Sequence, residues 1–245
     1  MQRKDEVWKT ESLSQTFLKG VRGGIPFAAE QIDIMLRLIE AGGKPIERFA
    51  DLGCGNGILA GAILKNYPQA LGTLVDFSEP MIKEAKSQLS KYASNLNFVV
   101  SDLGLKEWQD PVRKHAAFDV IVSGYAIHHQ PDERKRELYG EIFDLLEPGG
   151  LFVNIEHVAS RTGWIESIHD GCFIDHLYTF HTSQGSDKSR EQIANEYIHR
   201  PDKDANILAL VEPQCEWLRE FGFEDVDCYF KVFEFAVFGG RRPMR

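Results

Sequence analysis

The sequence of 245 residues has only four cysteines, Cys54, Cys172, Cys215 and Cys228, and no two of them form a C-x-x-C pair. That spacing excludes a zinc ribbon and a thioredoxin-type dithiol. No run of Lys and Arg is long enough to make a basic stripe, and the formal net charge is −9. A nucleic-acid binder carries a basic field, so no nucleic-acid partner is expected. No apolar run approaches the roughly 18–20 residues of a membrane span, so no membrane partner is expected either. The opening stretch, "MQRKDEVWKTESLSQTF", lacks the apolar core of a secretory signal. The expected setting is a reducing cytoplasm with free thiols. There is no internal repeat and no low-complexity tract. What remains is a globular chain, 43% hydrophobic, with apolar material for one large domain or one domain carrying an insertion.

What is present is alternation. "FAAEQIDIMLRLIEAGG" places Ile32, Met35, Leu36 and Ile39 on one helical face, and Gly42 and Gly43 stop it. "RFADLG" then reads as a strand and "NGILAGAILKNY" as a helix. "GTLVDFS" is a second strand. "SEPMIKEAKSQLSKY" is a helix with Ser78 as N-cap and Pro80 in its first turn. "NLNFVVSD" and Phe118–Ser123 are further strands, and "PDERKRELYGEIFDLL" is a helix ended by Pro148-Gly149-Gly150. "GLFVNIEHV" is a fifth strand. Such alternation calls for an α/β fold with a parallel, doubly wound sheet. The expected organisation is an N-terminal helical cover (1–45), a core (46–158), a helical lid insertion (159–208), and a last helix with closing strands (209–245).

The first strand ends in "DLGCGNG", a glycine turn that feeds a helix. Backbone N–H groups at such a helix start make a nucleoside- or anion-binding crevice. An acid about 20 residues on, here Asp76, suits ribose hydroxyls. Those features fit NAD and S-adenosylmethionine (SAM) alike. Asp51 separates them, because a carboxylate beside the turn repels a pyrophosphate and suits an ammonium or sulfonium group.

"DLGCGNG", "VDFSEPM", "SDL", "FDVIVSGYAIHH" and "LEPGGLFVNIE" occur in that order between residues 51 and 156. Together they resemble the motifs of class I SAM-dependent methyltransferases. "FKVFEFAVFGG" resembles the closing hairpin of that fold, which implies seven strands, mostly parallel, with an antiparallel last strand. "VRGGIPF", with three residues between Arg22 and Pro26, resembles the Arg-to-Pro-aromatic opening (R-x-x-P-[YF]) of the small-molecule methyltransferase and carboxy-SAM synthase-like branch, one residue longer. The resemblance implies SAM as cofactor. Asp51 is then expected at its ammonium group, Gly53 and Gly55 under its methionine part, and Arg22 at its carboxylate. Asp76 is expected at both ribose hydroxyls, Phe77 and Met81 along the adenine, Asp102 at the adenine amino group and Leu103 against the ring. The backbone around Ser123 closes the ammonium site.

Methyl transfer needs a nucleophile held about 3–3.5 Å from the methyl carbon, and a base where the nucleophile carries a proton. Groups placed for this follow the fourth and fifth strands: Tyr125, His128 and His129, then Glu156 and His157. Each has a plainer reading, as a turn residue, a packed histidine or half of an ion pair. The insertion "GWIESIHDGCFIDHLYTFH" offers Trp164, His169, Phe173, His176 and Tyr178 as walls of a substrate pocket. His169 and His176, two turns apart, could join His157 or His129 at a metal. No tight H-x-x-x-H pair supports that, so a lid is favoured and no residue is assigned to a metal. The expected reaction moves a methyl group to O, N or S of a small molecule. A carboxy-SAM synthase-like enzyme, using one of Arg161, Arg190, Arg200 or Lys231, and a non-catalytic SAM-binding regulator are the alternatives. A homodimer is compatible with the sequence.

Overall fold

The computed structural model describes residues 4–14 and 22–244, the side chain of Arg22 excepted. Among these, seven strands form one sheet: β1 (Arg48–Leu52), β2 (Leu71–Asp76), β3 (Leu96–Val100), β4 (Phe118–Gly124), β5 (Leu146–His157), β6 (Glu224–Val232) and β7 (Phe235–Arg241). Their order is β3-β2-β1-β4-β5-β7-β6. The first five are parallel, and β7 runs antiparallel to both β5 and β6. This is the doubly wound α/β sheet with an antiparallel last strand that the sequence motifs imply.

Successive strand residues point to opposite faces, and both faces are covered, so the strands read as nearly unbroken apolar runs. Phe49, Val120, Val122, Val153 and Val237 join one buried cluster. It includes Met35 and Ile39 of α1 (Ala28–Ala41), Ile63 of α2 (Ile58–Asn66) and Ile82 of α3 (Glu79–Gln88). Ala50, Ile121, Phe152 and Phe238, their immediate neighbours in sequence, join the other cluster. That one includes Leu138 and Ile142 of α4 (Asp132–Leu145) and Leu218 near the C-terminus. Truncating a side chain as enclosed as Phe152 costs ~3–5 kcal/mol, the apolar transfer plus the cavity left behind.

Between β5 and the last helix the chain leaves the sheet. α5 (Gly163–Ser183) is capped by Thr162, which accepts from the Ile165 N–H. α6 (Arg190–Ile198) starts at a reciprocal capping box of Ser189 and Gln192. The two helices pack through Ile174, Leu177, Ile193 and Tyr197. α7 (Val211–Glu220) then returns to the sheet. Among the described residues no helix is long and apolar enough to cross a membrane.

The strand order reverses between β1 and β4. In an open α/β sheet that reversal leaves a crevice beyond the C-terminal strand ends, with no crossover helix to fill it.

Candidate functional site

A cavity of about 610 Å³ lies at this crevice. Its first end is built by three turns. In the β1–α2 turn, Gly53 and Gly55 have φ of +67° and +53°, which L side chains rarely adopt. A Cβ on Gly53 would stand 2.1 Å from the Ala126 Cβ. A Cβ on Gly55 would meet no atom within 4 Å. The first glycine allows close packing of two loops, and the second leaves space beside the cavity.

The acids of these turns are tied by backbone donors. Asp76 accepts from the Gly55 and Ser78 N–H groups, both at 2.8 Å. Burial nevertheless pushes its carboxyl up to about 6, against those donors. Asp51 accepts from the Ala60 N–H at 3.1 Å, in the first turn of α2. Asp102 accepts from the Gly104 N–H at 2.9 Å. All three acids, with Phe77, Met81 and Leu103, line the cavity. Lys9 lies over the Phe77 ring at 5.5 Å. Arg134 holds the Leu103 loop by donating to the Leu103 carbonyl at 2.9 Å, while its fork grips Glu141. Ser123 does not face the cavity. Its hydroxyl donates to the Leu52 carbonyl at 2.8 Å and is fully buried; Gly124 and Tyr125 line the wall in its place. The Arg22 side chain lies outside the described residues.

The second end is lined by histidines. His128 Nδ1 is 2.6 Å from Glu156 Oε1, and its backbone N–H donates to Glu156 Oε2 at 3.0 Å. Glu156 also accepts from the His157 N–H at 2.9 Å. It is 1% exposed and does not line the cavity. The expected substrate-facing acid is therefore a clamp on His128. Burial pushes Glu156 up to about 7 and holds His128 well below the ordinary histidine value. His129 donates from Nδ1 to the Ala205 carbonyl at 3.0 Å, and burial drives it down to about 3. His157 lies 2.8 Å from Glu234 through Nε2. His128, His129 and His157 all reach the cavity wall. Tyr125 reaches it too, at a φ of +53°, with its hydroxyl donating to Gln31 on α1 at 2.7 Å.

α5 presents Phe173, Leu177 and His181 to the cavity, at i, i+4 and i+8. Three expected wall residues lie elsewhere. Trp164 is 73% exposed at the start of α5. Tyr178 is 37% exposed on the outer side. His176 is exposed and turns back on its own helix, its Nδ1 2.9 Å from the Cys172 carbonyl. His169 is fully buried behind the wall, in contact with His157 and Phe235. The sequence reading also missed residues that do line the cavity. Asp5 and Trp8 come from the N-terminal segment, where Trp8 meets the His129 ring at 6.0 Å. Arg200, one of the four cations considered from the sequence, also lines the cavity, from the segment after α6. Glu234, which pairs with the wall residue His157 and does not itself line the cavity, had a signal, a lone acid in the apolar run "VFEFAVF". Asp5 and Trp8 had none.

Residues 49–150 match the family model described as a methyltransferase domain. The chain is 30% identical over 140 residues to malonyl-[acyl-carrier protein] O-methyltransferase 1 of Ilyobacter polytropus, which covers 56% of this chain and 49% of that one. It is 24% identical over 235 residues to a carboxy-S-adenosyl-L-methionine synthase of Haemophilus ducreyi, covering 92% of this chain and 88% of the relative. A demethylmenaquinone methyltransferase of Leptospira interrogans is 32% identical over 126 residues, covering 50% and 48%. The chain thus spans about half the length of the first and third of these relatives. Among solved structures, PigF with SAH superposes at a TM-score of 0.62 with 16% identity, over 98% of this chain and 62% of that chain. The apo methyltransferase SibL superposes at 0.59 with 17% identity, over 89% and 56%. The structural matches show the fold. With the domain match over residues 49–150, they show a methyltransferase domain on a Rossmann-like α/β fold, similar to that of the class I SAM-dependent enzymes.

Proposed function

We propose that the chain moves a methyl group from SAM to an oxygen, nitrogen or sulfur atom of a small molecule. One observation carries this reading. A single cavity has Asp51, Asp76 and Phe77 at one end and His129, His157 and Phe173 at the other. Its volume of about 610 Å³ falls in the range of small-molecule sites. The first end suits an amino-acid-bearing nucleoside. It offers three carboxylates and no cation from the glycine turn, and it has open space above Gly55.

When bound, SAM supplies a methyl carbon activated by its sulfonium group. The residues of this chain bind and orient. Asp76, pinned by two backbone donors, accepts from the ribose hydroxyls with its remaining lone pairs. Phe77, Met81 and Leu103 flank the adenine, and Asp102 accepts from its amino group. Asp51 and the Gly53–Gly55 backbone hold the amino-acid end. At the other end, neutral imidazoles accept a proton from an acceptor hydroxyl, amine or thiol. His128 is held through Nδ1 by Glu156, which makes Glu156 a positioning residue. α5 and α6 close the cavity against water.

A second reading has its own support. Similarity to a carboxy-SAM synthase runs over 92% of the chain. Such an activity needs a cation at the reacting end to hold an added carboxylate. Of the four candidates, Arg200 lines the cavity. Arg161 pairs with Glu212, Arg190 with Asp175, and Lys231 donates to the Phe233 carbonyl. Mass spectrometry of the ligand that co-purifies with the native protein separates these readings. SAM or SAH supports methyl transfer, a carboxylated SAM supports the second reading, and NAD overturns both.

A further inference from the structure

One unusual group among the described residues is His169. It is 0% exposed, yet neither ring nitrogen has a hydrogen-bond partner. A polar group orphaned at such depth is destabilising, and buried imidazoles are otherwise partnered. Its Nε2 stands 3.6 Å from Glu234 Oε2, beyond a hydrogen bond but within reach of a shared third atom. The same carboxylate oxygen is 2.8 Å from His157 Nε2. One ligand atom from each of His157, His169 and Glu234 falls within a common span of 4.8 Å.

Three separate elements converge to make this. His157 ends β5, His169 lies on α5 and Glu234 sits in the tight turn between β6 and β7. The turn is fixed to the end of β5, because the Val158 N–H donates to the Glu234 carbonyl at 2.8 Å and His157 pairs with Phe235. The two imidazole rings stack with centroids 5.4 Å apart, and Phe235 backs the His169 ring at 4.7 Å. Only His157 reaches the main cavity.

We propose that His157, His169 and Glu234 bind a divalent transition-metal cation at the wall of the cavity. Two imidazole nitrogens and one carboxylate oxygen suit Zn²⁺, Fe²⁺ or Mn²⁺; Mg²⁺ and Ca²⁺ prefer oxygen-only sets. Metal–ligand bonds of ~2.0–2.2 Å in a tetrahedral site separate ligand atoms by about 3.4 Å. The 3.6 Å pair is already at that spacing, and the 2.8 Å pair reaches it by opening a few tenths of an ångström. The remaining positions face the cavity through His157. The assignment of a role rests on the methyl-transfer reading; the binding of the cation does not. If that reading holds, the cation coordinates an acceptor oxygen, a hydroxyl or a carboxylate, and lowers its proton affinity. The acceptor class narrows to molecules that present such an oxygen.

The test uses the full chain, stripped with a chelator and titrated with Co²⁺. One Co²⁺ per chain is expected, with visible ligand-field absorption and displacement by Zn²⁺. Proton NMR of the Co²⁺ form is expected to show hyperfine-shifted imidazole N–H resonances from two histidines. His169→Gln and Glu234→Gln each weaken Co²⁺ binding at least ~10–100-fold. His176→Gln, on the exposed side of the same helix, leaves it unchanged. Less than one equivalent bound, equal affinity in His169→Gln, or no shifted imidazole resonances overturns the proposal and leaves an ordered water as partner of His169. The NMR measurement needs no variant, so a misfolded mutant does not block the test. SAH binding to the metal-free chain, measured by calorimetry, reports on the methyltransferase reading independently.

Discussion

The two ends of the cavity are held by hydrogen bonds of different reach along the chain. At the first end Asp76 binds the backbone of Ser78 and of Gly55, Asp102 binds Gly104 and Asp51 binds Ala60. The partners lie 2 to 21 residues apart. At the second end His128 meets Glu156, His157 meets Glu234 and His129 meets Ala205, at separations of 28, 77 and 76 residues. The first end uses carboxylates on backbone donors in tight turns. The second uses side chains brought together by the crossing of β5, the β6–β7 turn and the lid. The first is rigid because its turns are rigid. The second is as rigid as the packing of its helices.

Substitutions sharpen this contrast. The largest effect is expected at Gly53→Ala, which combines a positive φ with a Cβ 2.1 Å from Ala126. It should cost ~2–4 kcal/mol of folding stability, read as a fall in the urea midpoint. Asp76→Ala should weaken SAH binding by ~2–3 kcal/mol, some 30–150-fold by calorimetry, since it deletes a buried charged acceptor. An unchanged SAH affinity would remove Asp76 from the nucleoside site. Glu156→Gln is expected to leave SAH affinity alone and lower kcat about tenfold by releasing His128. If SAH affinity falls as it does for Asp76→Ala, the two ends are not separate.

The next effect is pH-dependent and belongs to the second end. Burial holds His129 near 3 against an ordinary 6.5, so the folded chain binds fewer protons there than the unfolded one. That stability is fully present above pH 6.5 and is lost as pH falls toward 3. Glu156, raised from 4.5 to about 7, opposes it, because its contribution is lost as pH rises through 7. His128 and Asp5 also act on His129. His129→Gln should flatten the pH dependence of Tm between pH 6.5 and 4, by less than the ~1.4 kcal/mol per pH unit of one fully coupled proton. A steeper dependence in the variant contradicts the assignment. The smallest effect is expected at Trp164→Ala. At 73% exposure it should change stability by under ~0.5 kcal/mol and leave acceptor KM unchanged. A raised KM would bring Trp164 back to the substrate.

This difference in reach also separates what was legible from what was not. The sheet, its turns and the helices on its faces follow local patterns: period two in the strands, glycine at positive φ, apolar spacing in α1. The acids of the first end could be grouped because they follow successive strands of one sheet, and successive parallel strands carry their ends to one edge. In the lid the same logic misled. A helix rotates each residue by a constant angle, so a list of aromatics and histidines on α5 does not say which face turns inward. That was set by Phe173 and Leu177, which meet Tyr197 of α6 and Phe235 of β7. Trp164, His176 and Tyr178 fell outside for that reason.

By itself the sequence determined the α/β class, the strand–helix alternation, the glycine turn and the row of acids beyond β1, β2 and β3. Each depends on residues close together in the chain, where geometry follows from covalent spacing. Only the tertiary structure decided that Glu156 clamps His128, that Asp5, Trp8 and Arg200 enter the wall, and that His157, His169 and Glu234 meet. Those contacts join segments up to about 200 residues apart, as the Lys4–Asp204 pair does. Nothing in local periodicity encodes such a meeting; it is set by which faces of the sheet and the lid bury the most apolar surface against each other.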